Sequence, residues 1–193
     1  MKLKSLACLL AATIVSHAAP ETIFDGKSLD GWKVKGASPW TAKDGVLTGT
    51  NDEKKKGSIL WTEKEYTDFT FECQFRFEGP IDSGVFLRHE TDQIQIGISG
   101  SLKRDMTASP YISKTGKYPI EAEGVAELLK EGEWNKMKIT AKGNVYSVDL
   151  NGKHVMDYTS ETAKEQGPIG LQVHHGKVMT IEFKDIVIEE IGN

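Results

Sequence analysis

Polar side chains alternate with apolar ones in three short segments of this chain. The apolar partners are isoleucine, leucine and valine, and neighbouring residues of a β-strand point to opposite faces of a sheet. The polar side chains of these segments are Gln93, Gln95, Gln172, His174 and Arg88. If the three segments are strands of one sheet, these five side chains line one of its faces.

This set of side chains is suited to a ligand that is rich in hydroxyl groups. A carboxamide both donates and accepts hydrogen bonds, as a hydroxyl group does. Aromatic rings supply contact area against the apolar face of a sugar, and Trp61, Trp40 and Tyr111 are candidates for that contact. We therefore predict a carbohydrate site in which Gln93 and Gln172 bind the substrate.

Each of these residues also has an ordinary structural interpretation. Arg88 is followed by Glu90 and Asp92, so it could belong to a surface cluster of ion pairs. Glutamines are common on exposed strand faces, and His174 could stabilise the fold instead of contacting a ligand. His89 joins the substrate-binding set only if its strand continues past Arg88.

Alternation with a period of two residues dominates the chain and predicts an all-β protein. Many short strands separated by close turn signals, such as Asp44-Gly45 and Asn151-Gly152, indicate a two-sheet antiparallel β-sandwich. One short helix is predicted over residues 123–131, and a bulge is expected near Lys184. The predicted strands are 22–24, 40–42, 46–50, 58–62, 69–77, 84–89, 93–98, 136–141, 145–150, 154–158, 170–174 and 179–191.

The longest stretch without a predicted strand runs from residue 99 to residue 121. Loops of this length inside a compact domain are usually functional. Its polar and aromatic side chains are Lys103, Arg104, Asp105, Tyr111, Lys117 and Tyr118. We expect this loop to form one wall of a pocket and to contribute Asp105 and Tyr111 to substrate binding.

Residues 1–18 have the features of a cleavable secretory leader. Lys2 and Lys4 precede an apolar run over residues 6–15. That run is shorter than the roughly 20 residues that a membrane-spanning helix needs. We predict a secreted or periplasmic protein without membrane attachment after leader removal, with a single domain over residues 19–193.

Composition excludes several classes of function. The formal net charge is −4 and becomes −6 when Lys2 and Lys4 are removed, which argues against a nucleic-acid partner. Only Cys73 remains after leader cleavage, and its place in an alternating apolar run predicts a buried filler. No motif for a metal or a cofactor is present, so neither is expected.

Four short motifs occur in order along the chain: FDGKSLDGWK at 24–33, SGVFLR at 83–88, GEWN at 132–135 and LNG at 150–152. Over residues 22–191 the chain resembles the exported 3-keto-disaccharide hydrolase family. Relatives also show a Leu-Gln-x-His-x-Gly pattern, which Leu171, Gln172, His174 and Gly176 match. The resemblance implies a concanavalin-like jelly roll whose partner is a carbohydrate, namely an oxidised di- or oligosaccharide or glycoside.

The resemblance also implies a reaction. A ketone at C3 of a sugar acidifies the hydrogen on C2, so a base can remove that proton; loss of the C1 substituent and hydration then complete a net hydrolysis. His174 would be the base. Arg88 and Gln95 would stabilise the enolate oxygen, and an acid from residues 99–121 would protonate the leaving oxygen.

One position departs from the family pattern. Many relatives read Tyr-Glu-x-Gln where this chain has Asp92-Gln93-Ile94-Gln95, so a carboxylate is replaced by an amide. The candidates that could replace it are Asp105, Glu90, Asp92 and Glu121. The departure leaves open a carbohydrate-binding module without catalysis, and a structural or adhesive β-sandwich.

Overall fold

Two antiparallel β-sheets pack face to face in this protein. The computed structural model describes residues 19–37, 39–51 and 53–192. The predicted leader, residues 1–18, lies outside the described residues. Because both sheets are antiparallel and a single short helix accompanies them in the described part, the prediction of an all-β sandwich is confirmed.

The strands take their bounds from the alternating segments. In chain order they are β1 (Glu21–Thr22), β2 (Trp32–Gly36), β3 (Trp40–Lys43), β4 (Val46–Thr50), β5 (Ser58–Thr62), β6 (Phe69–Phe77), β7 (Asp82–Leu87), β8 (Asp92–Gly97), β9 (Pro110–Ile112), β10 (Asn135–Lys142), β11 (Val145–Leu150), β12 (Lys153–Thr159), β13 (Ile169–Val173) and β14 (Thr180–Glu190), with the helix α1 (Val125–Leu128) between β9 and β10.

The two sheets differ in size. The larger has the order β12-β11-β10-β6-β14-β4-β3, with β1 paired to β14. The smaller has the order β2-β5-β13-β7-β8-β9. The segments that carry the predicted polar face, β7, β8 and β13, are therefore close together in the smaller sheet.

The core lies between the sheets and follows directly from the alternation. In β6 the odd-numbered residues from Phe69 to Phe77 are buried and the even-numbered ones are half-buried. Full burial of each such phenylalanine contributes about 1.5–3 kcal/mol. Cys73 is 1% exposed and its burial raises the pKa of its thiol, so the sulfur is an inert core filler, as predicted.

The predicted bulge in the last strand is confirmed. Asp185 has a φ of 49°, and the register between β14 and β6 shifts between Lys184 and Val187. One extra residue on one strand produces such a shift.

The helix is shorter than predicted, and two strands were not predicted. Gly124 precedes α1 with a φ of 68° and supplies no side-chain cap, and Leu129 after it is already extended, so only Val125–Leu128 are helical. β2 and β9 lack a clear alternation of buried and exposed residues along a long run, since β2 is mostly exposed and β9 has three residues. Among the described residues, no helix has both the length and the apolar character needed to cross a membrane.

Candidate functional site

A cavity of about 520 Å³ opens on the outer face of the smaller sheet. Its walls come from β7, β8, β9 and β13, from the loop after β8 and from the turn after β13. We call it the amide pocket. The lining residues used below are Asp82, Phe86, Glu90, Gln93, Gln95, Ser99, Gly100, Ser101, Lys103, Tyr111, Tyr118, Gln172, His174, His175 and Lys177.

Strand register explains why distant segments meet at this pocket. Trp61, Gly170, Phe86, Gln93 and Tyr111 are Cα partners in succession across five neighbouring strands. Residues in one such cross-strand row share a face of the sheet. The core side chains of these strands occupy the other face, so the prediction that Gln93 and its neighbours share an outer face is confirmed.

Three carboxamides form the floor of the pocket in fixed orientations. Gln93 Nε2 donates to Ser83 O at 3.1 Å and to Gln172 Oε1 at 2.8 Å, and Gln95 Nε2 donates to Asp82 Oδ1 at 2.9 Å. These bonds fix which amide atom is the donor. Within the described residues Gln93 Oε1, Gln95 Oε1 and Gln172 Nε2 have no protein partner, so they remain as two acceptors and one donor for a ligand.

Gly84 is the reason that Gln93 can reach across β7 to Gln172. A Cβ atom at position 84 would lie 2.1 Å from Gln93 Nε2 and 2.6 Å from the carbonyl oxygen of Ile94. No side chain fits there without moving both the Gln93 amide and the backbone of β8 at Ile94. The glycine of the SGVFLR motif therefore serves the pocket floor.

Asp82 is a carboxylate of the pocket that sequence reasoning missed. It is 4% exposed, and Lys177 Nζ lies 4.0 Å from its Oδ2. Asp82 is the first residue of β7, two positions before Gly84, where the predicted strand begins. Extending the alternation back by two residues would have placed Asp82 on the same face as Phe86.

His174 has an imidazole nitrogen that is available as a base. Its Nδ1 is 2.7 Å from the carbonyl oxygen of His175. A carbonyl only accepts hydrogen bonds, so Nδ1 carries the proton in the neutral ring and Nε2 carries the lone pair. The two imidazoles stack with centroids 4.3 Å apart, and the backbone N–H of His174 donates to Asp82 O.

The loop after β8 forms one wall of the pocket, as expected. Ser99, Gly100, Ser101 and Lys103 line one end. Further along, Tyr111 and Tyr118 form an aromatic pair with ring centroids 5.0 Å apart.

Tyr118 is a hydrogen-bond donor that stays protonated at neutral pH. Burial raises the pKa of its phenol to about 12, and the negative charge of Asp82 adds to that rise. A protonated phenol in a pocket can donate to an oxygen of a ligand.

Arg88 is not in the pocket, so the prediction that it shares this face is wrong. β7 ends at Leu87, and Arg88 has a φ of 64°, which breaks the alternation on which the prediction depended. Its guanidinium is fully buried at one end of the sandwich, and burial lowers its pKa. The guanidinium donates to the carbonyl oxygens of Thr67, Ala141, Gly143 and Lys164 and to Asp68 Oδ1.

The two predicted tryptophan contacts also lie outside the pocket. Trp40 is buried in the core, where its indole N–H donates to Ser58 Oγ at 2.8 Å. Trp61 lies beside the pocket, with its ring centroid 5.7 Å from that of Phe86.

His89 and Asp105 are the remaining predicted substrate-binding residues that the pocket does not contain. His89 is half-buried, its Nε2 lies 3.5 Å from Asp92 Oδ1, and burial lowers the pKa of its imidazole. Asp105 lies on the other side of its loop and lines a separate cavity of about 670 Å³. There both of its carboxylate oxygens accept hydrogen bonds from Thr107, and burial raises its pKa.

Of the carboxylates considered as replacements for the missing family carboxylate, Glu90 alone lines the amide pocket. Glu121 pairs with Arg104 on the surface. Asp92 is completely buried and accepts hydrogen bonds from three hydroxyl groups, those of Tyr146, Ser160 and Thr162. Within the described ranges no three His, Cys, Asp or Glu side chains are grouped to hold a metal ion.

The two-sheet β-sandwich and the match to a family model together support a carbohydrate-active jelly-roll protein. The chain belongs to the 3-keto-alpha-glucoside-1,2-lyase-like domain family, whose model matches residues 19–189. A search of curated proteins gave no match.

Solved structures share the fold at low sequence identity. A proposed glycosyl hydrolase from Parabacteroides distasonis is 23% identical, covers 90% of this chain and 100% of its own, and has a TM-score of 0.67. A Bacillus subtilis protein of unknown function with a galectin-like fold is 12% identical, with 93% and 100% coverage and a TM-score of 0.67. A carbohydrate-binding module from Bacillus subtilis is 18% identical, with 83% and 96% coverage and a TM-score of 0.57.

Proposed function

We propose that this protein cleaves glycosides that carry a ketone at C3 of the sugar. The observation that carries the proposal is the His174 imidazole, which has an available Nε2 and lines a pocket floored by three amides. An imidazole base near neutral pH fits removal of a proton that an adjacent ketone has acidified. The family description, a 3-keto-alpha-glucoside-1,2-lyase-like domain, refers to C1 and C2 of the sugar, the two carbons at which this reaction takes place.

The first step transfers the C2 proton to His174 Nε2, and the C2–H electron pair becomes part of an enolate. The ammonium group of Lys177, which lines the pocket, supplies the positive charge that stabilises the enolate oxygen, in place of Arg88. Gln95, whose amide is fixed by Asp82, helps to orient the ring through its free Oε1.

The second step breaks the C1–O bond. The enolate electrons form a C1=C2 double bond, and the pair of the C1–O bond leaves with the departing oxygen. That oxygen takes a proton from the phenol of Tyr118, which is protonated at neutral pH and later regains its proton from water. Addition of water, with hydroxyl to C1 and hydrogen to C2, completes a net hydrolysis, and His174 returns its proton to the hydroxide that is left when water reprotonates Tyr118.

Carbohydrate binding without turnover is the second candidate function. Gln93, an amide where many relatives have a carboxylate, is engaged by Ser83 and Gln172 and is therefore fixed as a binding group. The likeness of the fold to a carbohydrate-binding module is compatible with it.

Maltose oxidised to a ketone at C3 of its non-reducing ring, incubated with the chain from Ala19 in deuterated water, separates these functions. The proposal expects release of glucose, with one deuterium at C2 of the oxidised product, and no cleavage of unoxidised maltose. Binding of both sugars without cleavage would support the binding module. Equal cleavage of both would indicate an ordinary glycosidase and contradict the ketone-dependent route.

We propose further that the protein acts outside the cytoplasm as one domain over residues 19–193. The support is the leader-like composition of residues 1–18. Amino-terminal sequencing of the protein recovered from the periplasm or medium tests this, and recovery of uncleaved chain from the cytoplasm would contradict it.

Gly84→Ala is expected to lower kcat/KM for the 3-keto substrate about fivefold, since the added methyl group displaces the Gln93 amide and removes a hydrogen bond worth about 1 kcal/mol. Steady-state kinetics measures it. Gln93→Ala is the matched variant, and the same loss of kcat/KM is expected there. A Gly84→Ala enzyme with the wild-type kcat/KM would show that turnover of the 3-keto substrate does not depend on the position of the Gln93 amide.

A further inference from the structure

The turn that carries His174 is bonded at both ends by one side chain, that of Asn51. This turn, residues 174–179, joins β13 of the smaller sheet to β14 of the larger sheet. Asn51 Nδ2 donates to the carbonyl oxygen of His174 at 2.9 Å, and the backbone N–H of Met179 donates to Asn51 Oδ1 at 3.1 Å. A single carboxamide therefore connects the first and the last residue of the turn. We call these two hydrogen bonds the Asn51 clamp.

Strand register explains why Asn51 lies beside both ends of the turn. β4 ends at Thr50, which is the Cα partner of Thr180 at the start of β14. Asn51 is the next residue along the chain, and its backbone N–H donates to the carbonyl oxygen of Met179 at 3.3 Å. The pairing of β4 with β14 thus continues one step beyond the two strands, and this step places the Asn51 side chain at the turn.

The loop between β4 and β5 supports the same turn with its backbone. The N–H of Gly176 donates to the carbonyl oxygen of Lys55 at 2.7 Å. Gly57 lies so close that a Cβ atom there would be 2.5 Å from the carbonyl oxygen of Val173 and 2.7 Å from the nitrogen of His175. The turn therefore takes its conformation from contacts with this loop as well as from its own residues.

The conformation of the turn determines which nitrogen of the His174 ring carries the proton. Nδ1 donates to the carbonyl oxygen of the next residue, His175, at 2.7 Å. This bond exists only while that carbonyl group points back at the ring. A neutral imidazole has a single N–H, so a proton held at Nδ1 leaves the lone pair at Nε2. Without the bond, the tautomer with its proton on Nε2 becomes populated as well.

We propose that Asn51 is a positioning residue that selects the basic tautomer of His174. By bonding the His174 carbonyl and the Met179 N–H, its amide fixes the path of the turn and with it the direction of the His175 carbonyl. Nε2 then keeps its lone pair for the C2 proton of the substrate. Asn51 does not line the amide pocket, so it acts through the turn. The effect on turnover rests on the proposed function, whereas the tautomer is a property of the free protein.

NMR of the imidazole nitrogens in isotope-labelled free protein tests the proposal without turnover. At a pH where the ring is neutral, wild-type His174 is expected to show an N–H shift at Nδ1 and a lone-pair shift at Nε2, signals that disappear in His174→Asn. Asn51→Ala removes both bonds of the clamp. The tautomer ratio is expected to change at least about fivefold, the factor that one hydrogen bond corresponds to, so the two shifts move toward each other.

A second variant of nearly the same size protects the test against poor folding of Asn51→Ala. Asn51→Asp keeps an oxygen that accepts from the Met179 N–H and loses the donor to the His174 carbonyl. It is expected to move the His174 shifts in the same direction as Asn51→Ala. Wild-type shifts in either variant would overturn the proposal.

Asn151→Gly is the matched control for a general loss of stability. Asn151 also bridges backbone groups, since it donates to the carbonyl oxygen of Leu128 at 2.8 Å and accepts from the N–H of Lys136 at 2.8 Å. Its φ of 49° is one that glycine adopts freely. The His174 shifts of Asn151→Gly are expected to equal those of wild type. Mixed tautomers in this variant would assign the effect to destabilisation of the whole fold and overturn the proposal.

Turnover of the oxidised maltose adds a kinetic measurement that keeps the two proposals apart. Asn51→Ala is expected to lower kcat about fivefold and to leave KM unchanged, because the amides of the pocket floor keep their own hydrogen bonds. If wild-type protein does not cleave the sugar while Asn51→Ala mixes the tautomers, Asn51 stands as the residue that positions His174 and the proposed reaction fails. If cleavage occurs and Asn51→Ala keeps the wild-type shifts and kcat, the reaction stands and the assignment of Asn51 is wrong.

Discussion

Replacement of His174 by asparagine is expected to lower kcat for 3-keto-glycoside cleavage by about 10²–10⁴-fold, the usual contribution of a positioned general base. Asparagine keeps a polar group of similar reach but has no nitrogen that accepts a proton. In the folded protein the bond from Nδ1 to the His175 carbonyl leaves Nε2 as the basic atom of the ring.

His175→Asn is the matched control for this prediction. His175 is exposed, stacks on His174 and uses its backbone carbonyl for the hydrogen bond, which the substitution retains. The kcat of His175→Asn is expected to stay within about threefold of the wild-type value, a far smaller change than removal of a general base causes. Single-turnover measurement of deuterium exchange at C2 reports the proton transfer directly. Full exchange in His174→Asn would assign the base to another group, with Asp82 the first to examine.

Arg88→Met is expected to lower the free energy of unfolding by about 3–5 kcal/mol, because removal of one partner leaves a buried network without its donor. The guanidinium is fully buried and bonds four carbonyl oxygens and Asp68. These acceptors belong to three separate stretches of chain, so the loss affects the start of β6, the β10–β11 turn and the segment before β13 together.

Urea denaturation followed by circular dichroism measures that loss. Arg104→Met is the control, since Arg104 forms an exposed pair with Glu121 and such pairs contribute about 0–1 kcal/mol. A stable but inactive Arg88→Met protein would contradict the structural function of this guanidinium and return Arg88 to the reaction.

Alternation predicts most of the fold because each strand of the sandwich has one face toward the core and one face toward solvent. β6 is the clearest case, since every second side chain from Phe69 to Phe77 enters the core. The same rule places Gln93, Gln95 and Gln172 correctly. It works only while the backbone stays extended.

The errors occur where that condition fails. Arg88 has a positive φ, so its side chain turns away from the face that the pattern assigns to it. Asp82 escapes the prediction because glycine usually marks the end of a strand, and the predicted strand therefore begins at Gly84. The position of Trp61 beside the amide pocket depends on the order of the strands in the sheet, and spacing along the chain does not contain that order.

The place of β14 has a consequence for how the chain is made. This last strand pairs with β6 on one side and with β4 on the other, in the middle of the larger sheet. Its contacts are with residues that are synthesised more than a hundred positions earlier. Pairings of such long range are slow to form. Without β14 the edges of β6 and β4 that face each other are unpaired, so the larger sheet is completed only when β14 joins it.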